Sequence, residues 1–255
     1  MKSILDRIEQ KKSELAQSPF LSFIQDSAIS ARKRFAFVPC IAPFAMGYTD
    51  INKFILRDDA SADPLQQVIN THTREEDSHW RMYLTDLRTL NMNVSMDMAN
   101  SLKMLWGDHC RMTRQLVYEL SALVIQYQDP RMRLLMVEAI EGTAEVAFEF
   151  FTKAASEFEK QTGRKLHYFG MTHEEMEANH AISKESSEDL LSTLELSAQE
   201  EQQVLEAVDR VYAHFGMMFD ELLAYALLTG QFQMNEISNT WWLRPTAELG
   251  AGASA

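Results

Sequence analysis

The stretch from Asp63 to Leu90 constrains this chain more than any other. Asp63-Pro64 reads as a helix start, with Asp as N-cap and Pro at the first helical position, where its missing N–H costs nothing. One stripe then runs through Leu65, Val68, Ile69, His72, Glu75, Glu76, His79, Met82, Tyr83, Leu87 and Leu90 at helical spacing. Both ends of the stripe are apolar, so it faces a core. Its middle turns carry imidazoles and carboxylates instead. Burying those groups uncompensated is very costly. The face therefore holds a metal ion, or it is a solvated groove or an internal salt-bridge cluster.

The rest of the chain permits a large helical core. It has 255 residues, 46% of them hydrophobic, which is one large domain or two small ones. Nine Gly and six Pro are few, so long helices are allowed nearly everywhere. Fifteen Met point to adaptable packing around a pocket. A net charge of −13 argues against nucleic acid and against an anionic membrane surface. No stretch reaches the ~18 apolar residues of a membrane span, and Met1-Lys2-Ser3-Ile4-Leu5-Asp6 lacks a signal-peptide core. Cys40 and Cys110 make no disulfide framework, which points to a reduced, cytoplasmic compartment. The expected organisation is a single helical metal-binding domain over residues 1–245 and a flexible tail over residues 246–255, with a Gly/Ala/Ser tract from Gly250.

Taken in order, Ile4, Leu5, Ile8 and Leu15 predict a short amphipathic helix, and a second begins at Pro19. Ser30 to Leu56 is strongly apolar with Pro39 and Pro43 inside it, which predicts a bent helix packed on the central one. Loops are expected over Asp58–Asp63 and Asn91–Asp97. A helix from about Ala99 to Gln126 carries His109, Arg111 and Arg114, with Gly107 as a breaking point. His109 fits a structural role better than a ligand role; an inward Arg would suit a substrate carboxylate. The Asp129-Pro130 start and Gly163 bound the next helix. Glu138, Glu141 and Glu145 lie at the edge of its apolar face, as an acidic ridge in water or around a cation.

Thr172 with Glu175 forms a capping box that starts a helix at His173. His173, Glu177 and His180 then share one face, which is a transition-metal ligand pattern or a partly exposed helix with chance histidines. Ser197 with Glu200 opens a long last helix, whose Val, Phe and Met stripe is core. Trp241-Trp242-Leu243 is apolar enough to dock on the core, on a pocket mouth or on a partner.

The candidate ligands are His72, Glu76, His79, Glu141, Glu145, His173, Glu177 and His180. Zinc would want a closed tetrahedral set, often with thiolates. Calcium would want oxygen alone. A mixed set of this size suits two iron or two manganese ions within a helical bundle. Glu76-x-x-His79 and Glu177-x-x-His180 also match the ferritin-like motif, although His173 adds a ligand that this pattern does not use.

Tyr168-Phe169 followed by His173-x3-Glu177-x2-His180 resembles the heme-oxygenase-like diiron oxidase and oxygenase superfamily, where an aromatic pair precedes His-x3-Asp-x2-His. The superfamily's middle-helix glutamate is best matched by Glu141, and its first-helix histidine by His79; His72 and Glu76 stand before it. The resemblance covers roughly residues 60–225. It departs at Glu177, where Asp is usual, and at His72, where Glu is common; both put equal binding of the two metals in question, and Glu145 could compensate at the second.

That resemblance implies an all-α, heme-oxygenase-like (TenA-like) bundle of about seven to eight helices. It implies two Fe(II) ions per chain, with manganese as the alternative, activating O2 against a small-molecule substrate, in a homodimer. The stretch from Ile69 to Asp77 also resembles members that rearrange amino acids, including a nitrile-forming branch, so the favoured substrate is an amino acid, tryptophan-like if that likeness holds. Oxidative cleavage of a fatty acid or amine, a metal-free hydrolase using a Cys nucleophile, and a non-enzymatic binding protein are the alternatives. Ser30–Leu56, the last helix's aromatics and Arg111 or Arg114 are the expected pocket contributors.

Overall fold

Asp129 and Pro130 start the longest helix among the described residues, and much of the rest packs around it. The Asp129 carboxylate accepts from Arg131 N at 2.9 Å, Pro130 occupies the first turn, and Gly163 ends the helix in the left-handed region at φ 69°. In a computed structural model, which describes residues 1–93, 95–177, 190–191 and 193–229 (without the side chains of Glu174, Glu175 and Glu177), this helix is α9, Pro130–Thr162. Before it come α1 (Lys2–Leu15), α2 (Pro19–Gln25), α3 (Ala31–Arg34), α4 (Ala42–Ile51), α5 (Pro64–Glu76), α6 (His79–Thr89), α7 (Met98–Trp106) and α8 (Arg111–Gln126). After it come α10 (Met171–Glu177) and α11 (Ala198–Thr229). Among the described residues there is no strand, and eight helices run nine residues or longer, in line with the expected bundle. No helix among them is long and apolar enough to cross a membrane.

Helix α9 touches α1, α2, α3, α5 and α11, while α4 lies between α6 and α8. Phe20, Phe37, Phe151, Phe169 and Phe219 form one aromatic knot beside α9, with Phe37 stacked on Phe151 at 5.6 Å. Each such ring pair contributes about 0.5–1.5 kcal/mol beyond its burial. The Ser197–Glu200 capping box forms as expected: Ser197 N donates to Glu200 Oε2 at 2.7 Å, and Glu200 N donates to Ser197 Oγ at 3.3 Å.

Three expectations need correction. The central helix is two helices, α5 and α6, broken at Asp77-Ser78. Arg57 causes the stop. Its Nη2 takes the Thr73 carbonyl at 2.7 Å, one of the orphan acceptors of the last turn, and pairs with Asp77 at 3.0 Å. The apolar run over 30–56 is likewise no single bent helix. It breaks into α3, turns, α4 from Ala42 with Pro43 in its first turn, and one π-helical turn over Asn52–Leu56. Helix α10 begins at Met171, two residues before the expected start at His173. The predicted break at Gly107 is present, as a short 3-10 turn, Asp108–Cys110, between α7 and α8. The tail over residues 246–255 and Trp241-Trp242-Leu243 lie outside the described residues.

Close approach of α1 and α11 to α9 depends on Gly142. A Cβ there would stand 2.6 Å from Tyr212 Oη and 3.4 Å from Ile8. Gly142→Ala is expected to destabilise the protein by about 1–3 kcal/mol, as overpacking does. Tyr212→Phe, which removes the obstructing oxygen, should recover most of that loss in the double variant. Chemical denaturation of the four proteins checks both expectations.

Candidate metal centre

The break at Asp77-Ser78 falls between two candidate ligands. Glu76 ends α5 and His79 starts α6, and their side chains meet, Glu76 Oε2 lying 3.0 Å from His79 Nδ1. Helix α10 brings His173 to the same point, with Nε2 2.9 Å from His79 Nδ1. All three residues are buried, at 4–5% exposure. The His173 ring is held by aromatic neighbours: Phe148 meets it edge-on at 4.6 Å and Tyr168 lies tilted against it at 4.8 Å.

A second group adjoins the first. His72, fully buried on α5, lies with Nε2 3.3 Å from Glu141 Oε1. The Tyr48 hydroxyl on α4 donates to the same Glu141 oxygen at 2.9 Å. Glu76, His79, Glu141 and His173 all line one cavity of about 80 Å³. Its remaining wall is largely apolar and includes Phe44, Phe148, Phe151, Phe215 and Phe219. The expected contributions from 30–56 and from the last helix are thus both present.

Hydrogen bonding sets the tautomer of His173. Its Nδ1 lies 2.8 Å from the Tyr168 carbonyl oxygen, which only accepts, so Nδ1 carries the proton and Nε2 presents a lone pair. Metal-ligating histidines are commonly oriented this way, through the ring nitrogen that does not bind. His79 Nδ1–H can then donate to that lone pair or to Glu76. Among the described residues, no three His, Cys, Asp or Glu side chains stand arranged around one ion. The donor types are those a transition metal takes, with His79 Nδ1 able to ligate only on losing the proton it donates. Imidazole nitrogens and carboxylate oxygens stand at about 3 Å from one another. That is the spacing of neighbouring ligands on an ion with bonds of roughly 2.1 Å.

Not every candidate joins them. Glu145 takes Lys12 Nζ at 2.7 Å, is about half exposed, and is not part of the cavity wall. Glu138, Glu145 and Glu9 all bear on the Tyr212 phenol, whose pKa is raised first by burial and then by their charges. The α9 glutamates therefore do not stack as one ridge; Glu141 alone of the three lines the cavity. His180 and the Glu177 side chain lie outside what the structure describes. His109 lies elsewhere, in a surface groove with Arg111, and its carbonyl accepts from the Cys40 thiol at 2.8 Å. Burial lowers its pKa. Arg114 is occupied by the Gly107 carbonyl at 3.0 Å and by that of Leu105, so neither arginine reaches the cavity.

Two residues were missed. Tyr48 stands in a run that reads as plain core. Asp86 had a signal: it continues the buried stripe from His79 and Tyr83, where an aliphatic residue is expected. Its carboxylate is fully buried and accepts from the backbone N–H of His167 at 2.7 Å, Tyr168 at 2.8 Å and Phe169 at 3.2 Å.

No protein-family model matches the sequence, and no curated protein matches it either. Solved structures do. One is a domain of unknown function with a heme oxygenase-like fold from Shewanella denitrificans OS217, at TM-score 0.64 and 12% identity over 91% of this chain and 97% of that one. Another is a TenA homolog from Pseudomonas syringae pv. tomato DC3000, at TM-score 0.62 and 12% identity over 87% of this chain and 91% of that one. The chain is thus an all-α protein of heme oxygenase-like fold. That fold includes enzymes.

Asp86 adds a pH dependence. Burial pushes its pKa up from 3.8 to about 6, against the pull of its three N–H donors. An acid whose folded pKa is raised adds stability below its unfolded pKa and loses it as pH rises through the folded one. In the metal-free protein, the stability gap between wild type and Asp86→Asn should therefore shrink by about 1 kcal/mol between pH 5 and 7.5. Urea denaturation at the two pH values reads this directly.

Proposed function

We propose that this protein is a non-heme diiron oxidase or oxygenase that activates O2 against a small organic substrate. The observation that carries the reading is the meeting of Glu76, His79 and His173, from three helices, on the wall of an otherwise apolar cavity, with Glu141 and His72 adjoining. His72, Glu76, His79, Glu141 and His173 would hold two iron ions, or manganese in their place. Glu177 and His180 would complete the set by the spacing of their motif in the sequence. The metals would supply O2 binding and electrons, chemistry that no side chain here provides.

The chain's own residues have definable tasks. His173 turns its Nε2 lone pair toward His79 and Glu76 because the Tyr168 carbonyl takes its other nitrogen. Tyr48 steadies the Glu141 carboxylate through a charge-assisted hydrogen bond. The phenylalanine walls keep bulk water from the reacting centre and receive an apolar body. We favour an aromatic amino acid as the substrate, with rearrangement toward a nitrile, on the strength of the Ile69–Asp77 likeness. A fatty acid or an amine would use the same walls. A homodimer belongs to the same proposal.

A metal-free hydrolase of the same fold, with a cysteine nucleophile, is the competing proposal. That reading needs a cysteine nucleophile at the cavity, and among the described residues none lines it. Cys40 is fully buried, and burial raises its thiol pKa well above the usual value, which leaves little thiolate.

Anaerobic Fe(II) titration, followed by O2 exposure with a panel of amino and fatty acids, decides between them. The expected result is about two irons per chain and an optical transient that one substrate class accelerates. His173→Ala and Glu141→Gln should each lower the iron stoichiometry, whereas Glu145→Gln should leave it unchanged. A folded protein that takes up no iron sinks the proposal.

A further inference from the structure

The Tyr168-Phe169 pair is a motif whose side chains explain only part of its place beside the site. Its backbone explains more. The segment from His167 to Phe169 has no helix or strand to satisfy its N–H groups, and three successive ones converge on the Asp86 carboxylate. Asp86 lies on α6, the helix that His79 starts. Tyr83, one turn earlier, anchors the same helix through its hydroxyl, which donates to the Val38 carbonyl at 3.0 Å, and its ring meets Tyr168 edge-on at 5.8 Å. The carbonyl of Tyr168 in turn accepts from His173 Nδ1. One path of hydrogen bonds therefore runs from α6 through this loop to the ring of His173.

We propose that Asp86 is a positioning residue for His173: by clamping the 167–169 peptides it aims the Tyr168 carbonyl at Nδ1 and so leaves Nε2 as the lone pair facing His79 and Glu76. The proposal rests on the metal-centre reading for its purpose, but not for its geometry. A free loop peptide could rotate, and His173 could then exchange its proton between the two ring nitrogens. With the proton on Nε2, the nitrogen nearest His79 would be a donor and unable to bind a metal. Asp86 thus ties His173 of α10 to α6, the helix that His79 starts.

The test reads the tautomer of His173 in the metal-free protein at pH 8, by long-range proton–nitrogen NMR correlations, with His173→Gln used for assignment. The wild type is expected to carry the proton on Nδ1. Asp86→Asn keeps the size of the side chain but offers one acceptor oxygen to three donors. It should lower the Nδ1–H population and weaken Fe(II) binding by about 10–100-fold, the usual effect of losing an outer-shell partner, with far-UV circular dichroism unchanged. A wild-type His173 protonated on Nε2 overturns the proposal, and this result needs no variant to fold. A folded Asp86→Asn protein with unaltered tautomer and unaltered Fe(II) affinity overturns it too. If the wild type binds no iron and Asp86→Asn still shifts the tautomer, the positioning role stands and the metal centre falls.

Discussion

Burial of ionisable groups is the constraint on which this structure turns. His72, Glu76, His79 and His173 are all at or below 5% exposure, inside a bundle whose neighbouring surfaces are phenylalanine, isoleucine and alanine. Taking such groups out of water is costly unless each meets a partner of opposite character. Here they meet one another, and the helices must arrive at angles that let them. The long α9 supplies Glu141, the broken α5–α6 pair supplies His72, Glu76 and His79, and α10 supplies His173. A bundle packed only for its aliphatic residues would have no reason to interrupt α5.

That interruption links distant parts of the chain. Arg57, at the end of the π-helical turn, caps the Thr73 carbonyl and pairs with Asp77. The cap ends α5 at Glu76, and the next helix restarts at His79. His79 lies against both Glu76, three residues before it, and His173 of α10. A similar economy is seen at Asp86, whose single carboxylate holds a loop, fixes a carbonyl and through it orients a ring.

Much of the architecture could be read from the residues. The Asp129-Pro130 start, the Gly163 stop, the break at Gly107 and the Ser197–Glu200 box are local rules, and each appears where those rules place it. Helical spacing also put His72, Glu76 and His79 on one inward face, and the structure buries all three. The α9 glutamates were harder. Residues three or four apart share a face only approximately, and which of them turns toward the cavity depends on what packs against each side. Lys12 of α1 draws Glu145 away at 2.7 Å, while Tyr48 of α4 holds Glu141 at 2.9 Å. Neither partner is near α9 in sequence, so no pattern along α9 reveals the division.

The sequence by itself determined that the chain is helical, where many of its helices begin and end, and that His72, Glu76 and His79 share an inward face. These follow from hydrogen-bonding and side-chain periodicity over a few residues, which each segment carries within itself. Tertiary structure alone decided where the central helix breaks, that Glu141 and not Glu145 lines the cavity, and that Asp86 holds the loop before His173. Each of those depends on a charge or hydrogen bond delivered from a segment far along the chain. Such contacts exist only after the helices have packed.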